Sequence, residues 1–478
     1  MKNNKYDVIV IGAGVGGLVA AVYLAKAGKR VLVLEKNNEP GGYCTSFRRR
    51  GFVIDTTIHA IQNCEEGNIL HKIFLETNII DKIRLKRGNP TDTVLMDGFK
   101  IDIRNNVYET LEQFVRIFPK ESASLKSFFD LFVNKNLTHI FSKYRYATLE
   151  SVLNEYFSDK KLKRIWGAFL SNIGSLPENT SMLTAYALLK QFIISGGYYP
   201  LGGMQTIPNA LVCSLKNEGG EILYKRCVEK ILVSNKKVKG VMLKSGEVYY
   251  SSKVISNSDP INTFENMLNL KKDESIERIK EYRPSMSIYI VYILLKKCFK
   301  DEISSGAGIW YMPSDKILAE EINNDNYMMT NKTIFCSIAS KLDESLSPSG
   351  HDYLRIMVNT YHKSQHFWAS KTKELNQKLI NQTTKFLPNL KQETLCIGRA
   401  TSGTMNNYTL NAAGAMCGWW NSPEQVNDPA VNYFPKIGGL YFCGHWITQR
   451  YGNGGVAMAA ESGRKAAWNI LKAQSIRE

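Results

Sequence analysis

Tyr6-Asp7-Val8-Ile9-Val10-Ile11-Gly12-Ala13-Gly14-Val15-Gly16-Gly17 is the stretch whose reading decides the fold. Its first half is short, apolar and rich in β-branched residues, which predicts a buried parallel strand. From Leu18 to Ala27 the apolar residues recur at helical spacing, and Gly28 stands where a helix C-cap belongs. A second strand, Arg30 to Leu34, then delivers Glu35. Strand, glycine turn, helix, strand and acid in this order form a βαβ dinucleotide fingerprint. Gly12 permits the tight turn, Gly14 lets a pyrophosphate approach the backbone, and Gly17 lets helix and strand pack closely. Ala13, Val15 and Gly16 complete a loop that sets phosphates on the positive helix N-terminus. Glu35, 18 residues beyond Gly17, can accept hydrogen bonds from an adenosine ribose, with Lys36 beside it. At this point FAD and NAD are equally served.

With 478 residues the chain exceeds one ordinary core, so two domains are expected. No apolar run reaches membrane-span length and no signal peptide is legible at the N-terminus. The nine cysteines include no CxxC pair, which predicts reduced thiols and a cytoplasmic protein, and no metal site is expected. A net charge of +17 is read first as a solvated lysine-rich surface. Its functional alternatives are peripheral contact with the anionic inner face of a membrane, or an acidic carrier protein. Nucleic acid is excluded as a partner because no basic stripe with interleaved aromatics appears.

Behind the second strand come Gly41-Gly42-Tyr43 and then Gly51-Phe52-Val53-Ile54-Asp55. Beside a nucleotide site, a glycine pair leaves backbone amides free to face a phosphate or ribityl chain. This pattern resembles the extended FAD signature of the phytoene desaturase and amine oxidase superfamily, and the resemblance selects FAD. The family often carries an arginine after the glycine pair, where this chain has Tyr43; Arg48 is the cation expected to stand in. The resemblance also carries the segment after Thr56 past the flavin ring. His59 thereby becomes the candidate acid, base or hydrogen-bonding group, weighed against a histidine held only by packing.

Val94 to Ile101 reads as a hairpin turning at Asp97-Gly98. Helical stretches follow at 111–118, 122–133, 149–157, 162–170 and 182–192, an inserted cap over a substrate site. Their aromatics (Phe128, Phe129, Phe132, Tyr144, Tyr146, Trp166 and Phe169) are read as core. Further on, Tyr199-Pro200-Leu201-Gly202-Gly203-Met204, the Gly219-Gly220-Glu221-Ile222 step and the strand from Val228 resemble the middle segment of carotenoid desaturases and isomerases and retinol saturases. In that family the backbone at the position of Val228 meets the adenine. Ser285 to Leu295 resembles the first long strand of the substrate sheet, and its continuous hydrophobicity predicts that both faces are covered. Near the C-terminus, Gly444-His445 follows a strand, and Gly452-Asn453-Gly454-Gly455-Val456 opens a helix whose N-terminus can face the flavin. The family commonly has a carboxylate where His445 stands; a histidine there can donate to a phosphate oxygen.

The expected architecture is α/β: a three-layer, FAD-binding Rossmann-like domain with a mostly parallel sheet, interleaved with an α+β substrate domain on a mixed or antiparallel sheet capped by helices. Segments 1–68, 199–284 and 401–478 are assigned to the FAD domain, and 69–198 and 285–400 to the substrate domain. The resemblance implies an FAD-dependent enzyme that desaturates, isomerises or saturates a long hydrophobic polyene or prenyl-like substrate. No second GxGxxG unit provides an NAD(P)H site, so the electron partner stays open. An amine or amino-acid oxidase is the enzymatic alternative, with Trp419, Trp420 and Trp446 available for an aromatic cage. A non-catalytic prenyl-binding protein of the GDP-dissociation-inhibitor type is the alternative of another class.

Overall fold

The computed structural model describes residues 4–96, 98–270, 276–299, 308–313, 333–428, 436–447 and 454–475. Asp97, Gly452 and Asn453, named above in turn motifs, lie outside the described residues. Val8–Ile11 is a fully buried strand, as its sequence predicts. It pairs in parallel with Val31–Leu34 on one side and Val254–Ser256 on the other. Glu221–Leu223 and Leu440–Phe442 complete a five-stranded parallel sheet, so strands from three remote parts of the chain lie side by side. A small antiparallel sheet, Val228–Ser234, Lys237–Leu243 and Val248–Tyr250, packs its apolar side chains against one face.

The other face is covered by helices Val15–Lys26 and Gly455–Ser475. Their contact is close because it is made by small residues. A Cβ on Gly463 would stand 2.0 Å from the Gly16 carbonyl oxygen, and one on Gly16 would stand 2.8 Å from the Ala459 carbonyl oxygen. Helix Val15–Lys26 ends at Ala27, with Gly28 following at φ +73°, the left-handed position a glycine accepts at low cost.

A second sheet of seven strands is mixed. Ser287–Leu295 is buried along its whole length and pairs with Asp352–Thr360 and Thr394–Ala400. Its alternate residues serve different cores. Tyr289, Val291, Ile293 and Leu295 pack under helix Gln365–Thr383 with Trp368, Leu379 and Ile380. Ile288, Ile290, Tyr292 and Leu294 face the main core on the cavity side. That division explains a continuous apolar run. The helix keeps Lys371, Glu374 and Lys378 outside as exposed ion pairs. The hairpin strands Asp92–Met96 and Phe99–Ile103 extend this sheet, joined to it by a parallel pairing with Gly308–Met312.

Between the hairpin and the return to the parallel sheet lies the helical cap, running from Val107–Ile117 to Met182–Lys190. It includes a further helix, Leu137–Tyr144, outside the helical stretches that the sequence predicts. Most of the cap aromatics are core, gathered around Phe128 and Trp166. Tyr146 is the correction: it is 71% exposed, and Arg145 lies over its ring. None of the nine cysteines, all among the described residues, forms a disulfide.

Replacing Gly463 by Ala should force the two helices apart. A loss of about 1–3 kcal/mol in urea unfolding is expected, and an unchanged midpoint would show that the contact yields freely.

Candidate functional site

A cavity of about 630 Å³ begins where the parallel strands end and runs beneath the cap to the mixed sheet. Ligands of open parallel α/β sheets bind beyond the carboxyl ends of the strands, and Gly12, Gly14, Val15 and Gly16 line the cavity there. Two fingerprint residues act behind this wall. Ala13 donates its backbone N–H to Glu35 Oε2 at 2.8 Å. Gly17 meets the Gly12 carbonyl so closely that a Cβ would stand 2.3 Å from it.

Glu35 and Lys36 line the cavity, and Glu35 Oε1 accepts the Asn37 N–H at 2.8 Å. Arg226, Cys227 and Val228 also line it, and the Arg226 N–H donates to the Glu35 carbonyl at 2.8 Å. Gly41 and Gly42, at φ +123° and +63°, bring the next turn alongside, and Gly41 donates to the Ala13 carbonyl at 2.8 Å. Tyr43 also lines the cavity, but its phenol donates to the Ala415 carbonyl at 2.9 Å, and burial pushes its pKa up to about 12. Its hydroxyl is a neutral tether there.

Arg48 is elsewhere. It sits exposed on the strand Ser46–Arg49, outside the cavity lining. A strand advances about 3.3 Å per residue, so the hairpin that starts beside Gly42 has reached solvent by Arg48. The expectation that this arginine replaces the family's cation is withdrawn.

From the C-terminal part come Gly444, His445, Gly454, Gly455 and Val456, all lining the cavity. His445 belongs to a network that fixes its tautomer. The Trp446 indole, a donor only, gives its N–H to Asn411 Oδ1 at 2.8 Å, so Asn411 Nδ2 donates to His445 Nε2 at 3.3 Å. The imidazole proton is thereby assigned to Nδ1. Burial holds His445 neutral, with its pKa lowered to about 4.

Sequence reasoning missed Asn411 and Asn257. Asn257 follows the strand Val254–Ser256, and its side chain fills the space among the glycines: a Cβ on Gly14 would stand 2.7 Å from Nδ2, and one on Gly444 2.7 Å from Oδ1. The signal was available, since a residue at the carboxyl end of a strand beside the first strand belongs at the ligand crevice. Nothing in the sequence marks Asn411.

Beyond His59 the described walls carry no charge and are largely apolar, with Ile61, Leu137, Leu188, Phe192, Trp310 and Phe335 beside the neutral polar Gln62, Asn172, Gln191 and Asn359. The charged residues of the lining, Glu35, Lys36, Arg226, Glu461 and Lys465, belong to the nucleotide sheet, the strand entry beside it and the last helix. His59 packs on Phe335 with ring centroids 4.4 Å apart; burial first, then the charge of Arg355, lower its pKa to about 3. At neutral pH it carries no charge. Trp419, Trp420 and Trp446 are absent from the lining, and Trp419 and Trp446 pack edge-on at 4.8 Å in a separate cluster.

The family model described as flavin containing amine oxidoreductase matches residues 15–471. Prolycopene isomerase 1 of an Oncidium hybrid cultivar is 27% identical, with 93% of this chain and 81% of that protein aligned. All-trans-retinol 13,14-reductase of Rattus norvegicus is 28% identical over 65% of this chain and 57% of its own length. Among solved structures, an oxidoreductase from Methanosarcina mazei superposes with a TM-score of 0.70 at 19% identity, covering 96% of this chain and 100% of its own.

Two buried neutral histidines make the fold acid-sensitive. Their folded pKa values lie below the usual 6.5, so the unfolded chain takes up protons first as pH falls, and stability declines from about pH 6.5 toward about 4. In urea titrations across that range, His59→Gln with His445→Gln should flatten the decline; an unaltered slope would contradict the assignment.

Proposed function

This chain belongs to the flavin containing amine oxidoreductase family, and we propose that its FAD serves the desaturation, isomerisation or saturation of C–C double bonds in a long, hydrophobic polyene. The observation that carries this reading is the cavity's polarity. Its charges are gathered at the nucleotide end, and beyond His59 the described walls are uncharged: apolar and aromatic side chains with a few neutral polar ones, among them Gln62, Gln191 and Asn359. An amine substrate is a cation at neutral pH and calls for a carboxylate or an aromatic cage. The apolar arm presents no carboxylate among its described residues, and the tryptophans of the alternative reading lie elsewhere. A pure prenyl carrier would have no use for the carboxylate of Glu35 held between two backbone amides.

Bound FAD supplies a two-electron acceptor or donor at its ring. In this reading the chain's own residues orient and shield. The backbone amides of Gly14, Gly16 and Gly42 and the N-terminus of helix Gly455–Ser475 would hold the diphosphate and ring. Glu35 would take the ribose diol, and the backbone at Val228 would meet the adenine. His445 offers Nδ1–H as a donor. Ile61, Phe192, Trp310 and Phe335 exclude water from the reacting carbons. His59, neutral, is the group placed to accept or return a proton at the junction. We assign residues 69–198 and 285–400 to the substrate half.

No described helix is long and apolar enough to cross a membrane. The +17 charge and the exposed Arg48 to Arg50 support access to substrate at an anionic membrane surface or through an acidic carrier. Binding to anionic liposomes should occur at low salt and vanish at high salt; sedimentation at background level in low salt would refute the surface.

The reading is tested by anaerobic incubation of the FAD-loaded protein, with its flavin oxidised or first reduced, against prolycopene, all-trans-retinol and putrescine. Expected are polyene products of changed mass or changed retention at unchanged mass. Flavin bleaching by putrescine alone would overturn it. Glu35→Ala should weaken FAD binding at least about tenfold, measured by flavin retained after dialysis.

A further inference from the structure

Arg355 is completely buried in the mixed sheet, on the strand Asp352–Thr360. A guanidinium keeps its charge wherever it is placed, and this one rests on neutral oxygens. Nε donates to Ser337 Oγ at 3.0 Å, and Nη1 donates to the carbonyls of Asp55 at 3.2 Å and Ile58 at 2.9 Å. Nη2 has no partner. A buried cation whose direct partners are neutral oxygens is costly even with the buried Asp55 carboxylate nearby, and packing alone could be met by an apolar side chain.

What the cation holds is specific. Asp55 and Ile58 bracket Thr56, whose own carbonyl accepts the Tyr292 hydroxyl at 2.7 Å. Two side chains of the mixed sheet therefore grip three carbonyls of one short segment. Its start is pinned as well: Asp55 Oδ1 accepts the Met204 N–H at 2.8 Å and the Ser46 hydroxyl at 2.7 Å, and Oδ2 accepts the Tyr199 hydroxyl. The segment then becomes cavity wall from Thr57 to Gln62. His59 is held against Phe335, which faces Trp310 at 4.5 Å.

We propose that Arg355 is a positioning residue that binds the Asp55 to Ile58 backbone to the substrate sheet and so fixes the His59 ring at the junction of the nucleotide and apolar arms. The inference rests on the flavoenzyme reading above for its consequence in turnover, but its geometric content stands apart from any substrate. An ammonium in place of the guanidinium keeps the charge yet lacks the planar fork that spans both carbonyls and Ser337. A methionine removes charge and donors at similar length.

The test compares Arg355→Lys and Arg355→Met with the parent in FAD-loaded protein, recording the His59 imidazole by NMR with His59→Gln to assign it. Displaced His59 resonances are expected in both variants. In Arg355→Met the ring should also titrate at higher pH than in the parent. FAD content should stay within about twofold of the parent, because the residue is outside the cavity lining. On whichever of prolycopene or all-trans-retinol the parent turns over, kcat should fall on the order of tenfold to a hundredfold with KM little changed. His59 resonances identical to the parent in a folded variant would overturn the proposal. Should Arg355→Met fail to fold, the Arg355→Lys spectrum decides in the same way. A parent that turns over neither polyene counts against the function proposed above, whereas the His59 spectra still decide the role of Arg355.

Discussion

The side chain of Asn257 occupies room that exists only because glycines surround it. A Cβ at Gly14, Gly16 or Gly444 would come within 2.9 Å of its amide, and one at Gly17 within 3.1 Å of its Cβ. Those glycines belong to the first and last parts of the chain, and Asn257 to the middle. Three segments separated by hundreds of residues can close around one crevice because their backbones meet there with almost no side chain between them. The parallel pairing of Val254–Ser256 between Val8–Ile11 and Leu440–Phe442 is the same closure seen in the sheet. Gly463 against Gly16 repeats it in the helical layer.

From that closure the polarity of the cavity follows. Strand ends and helix N-termini bring backbone amides and the Glu35 carboxylate to one end, where a charged diphosphate and a ribose can be met. Everything inserted between the three segments is free to be apolar. The mixed sheet gives one set of alternate side chains to helix Gln365–Thr383 and the other to the cavity side. The cap contributes Leu137, Leu188 and Phe192. Burial in such surroundings favours neutral groups, which is why both cavity histidines hold their protons weakly.

What was legible in the sequence was whatever depends on local order. The βαβ fingerprint, the glycine pair, the strand from Val228 and the both-faces-buried strand at Ser287–Leu295 are spelled by neighbours along the chain, and they stand where they were expected. Positions that depend on remote packing were not legible. Asn411 matters through Trp446 and His445, which are more than thirty residues away. Arg355 matters through carbonyls about three hundred residues earlier. Arg48 misled because nearness to Gly42 in sequence is lost within a few residues of an outgoing strand. Tyr146 misled because aromatic content alone does not say which side of a turn faces the core.

The central claim is a single FAD crevice built from three parts of the chain and opening into an apolar arm. Its most direct measurement is the flavin stoichiometry of the purified protein, read from its absorbance before and after denaturation. One FAD per chain is predicted. A colourless protein that takes up no flavin on incubation with FAD would contradict the account.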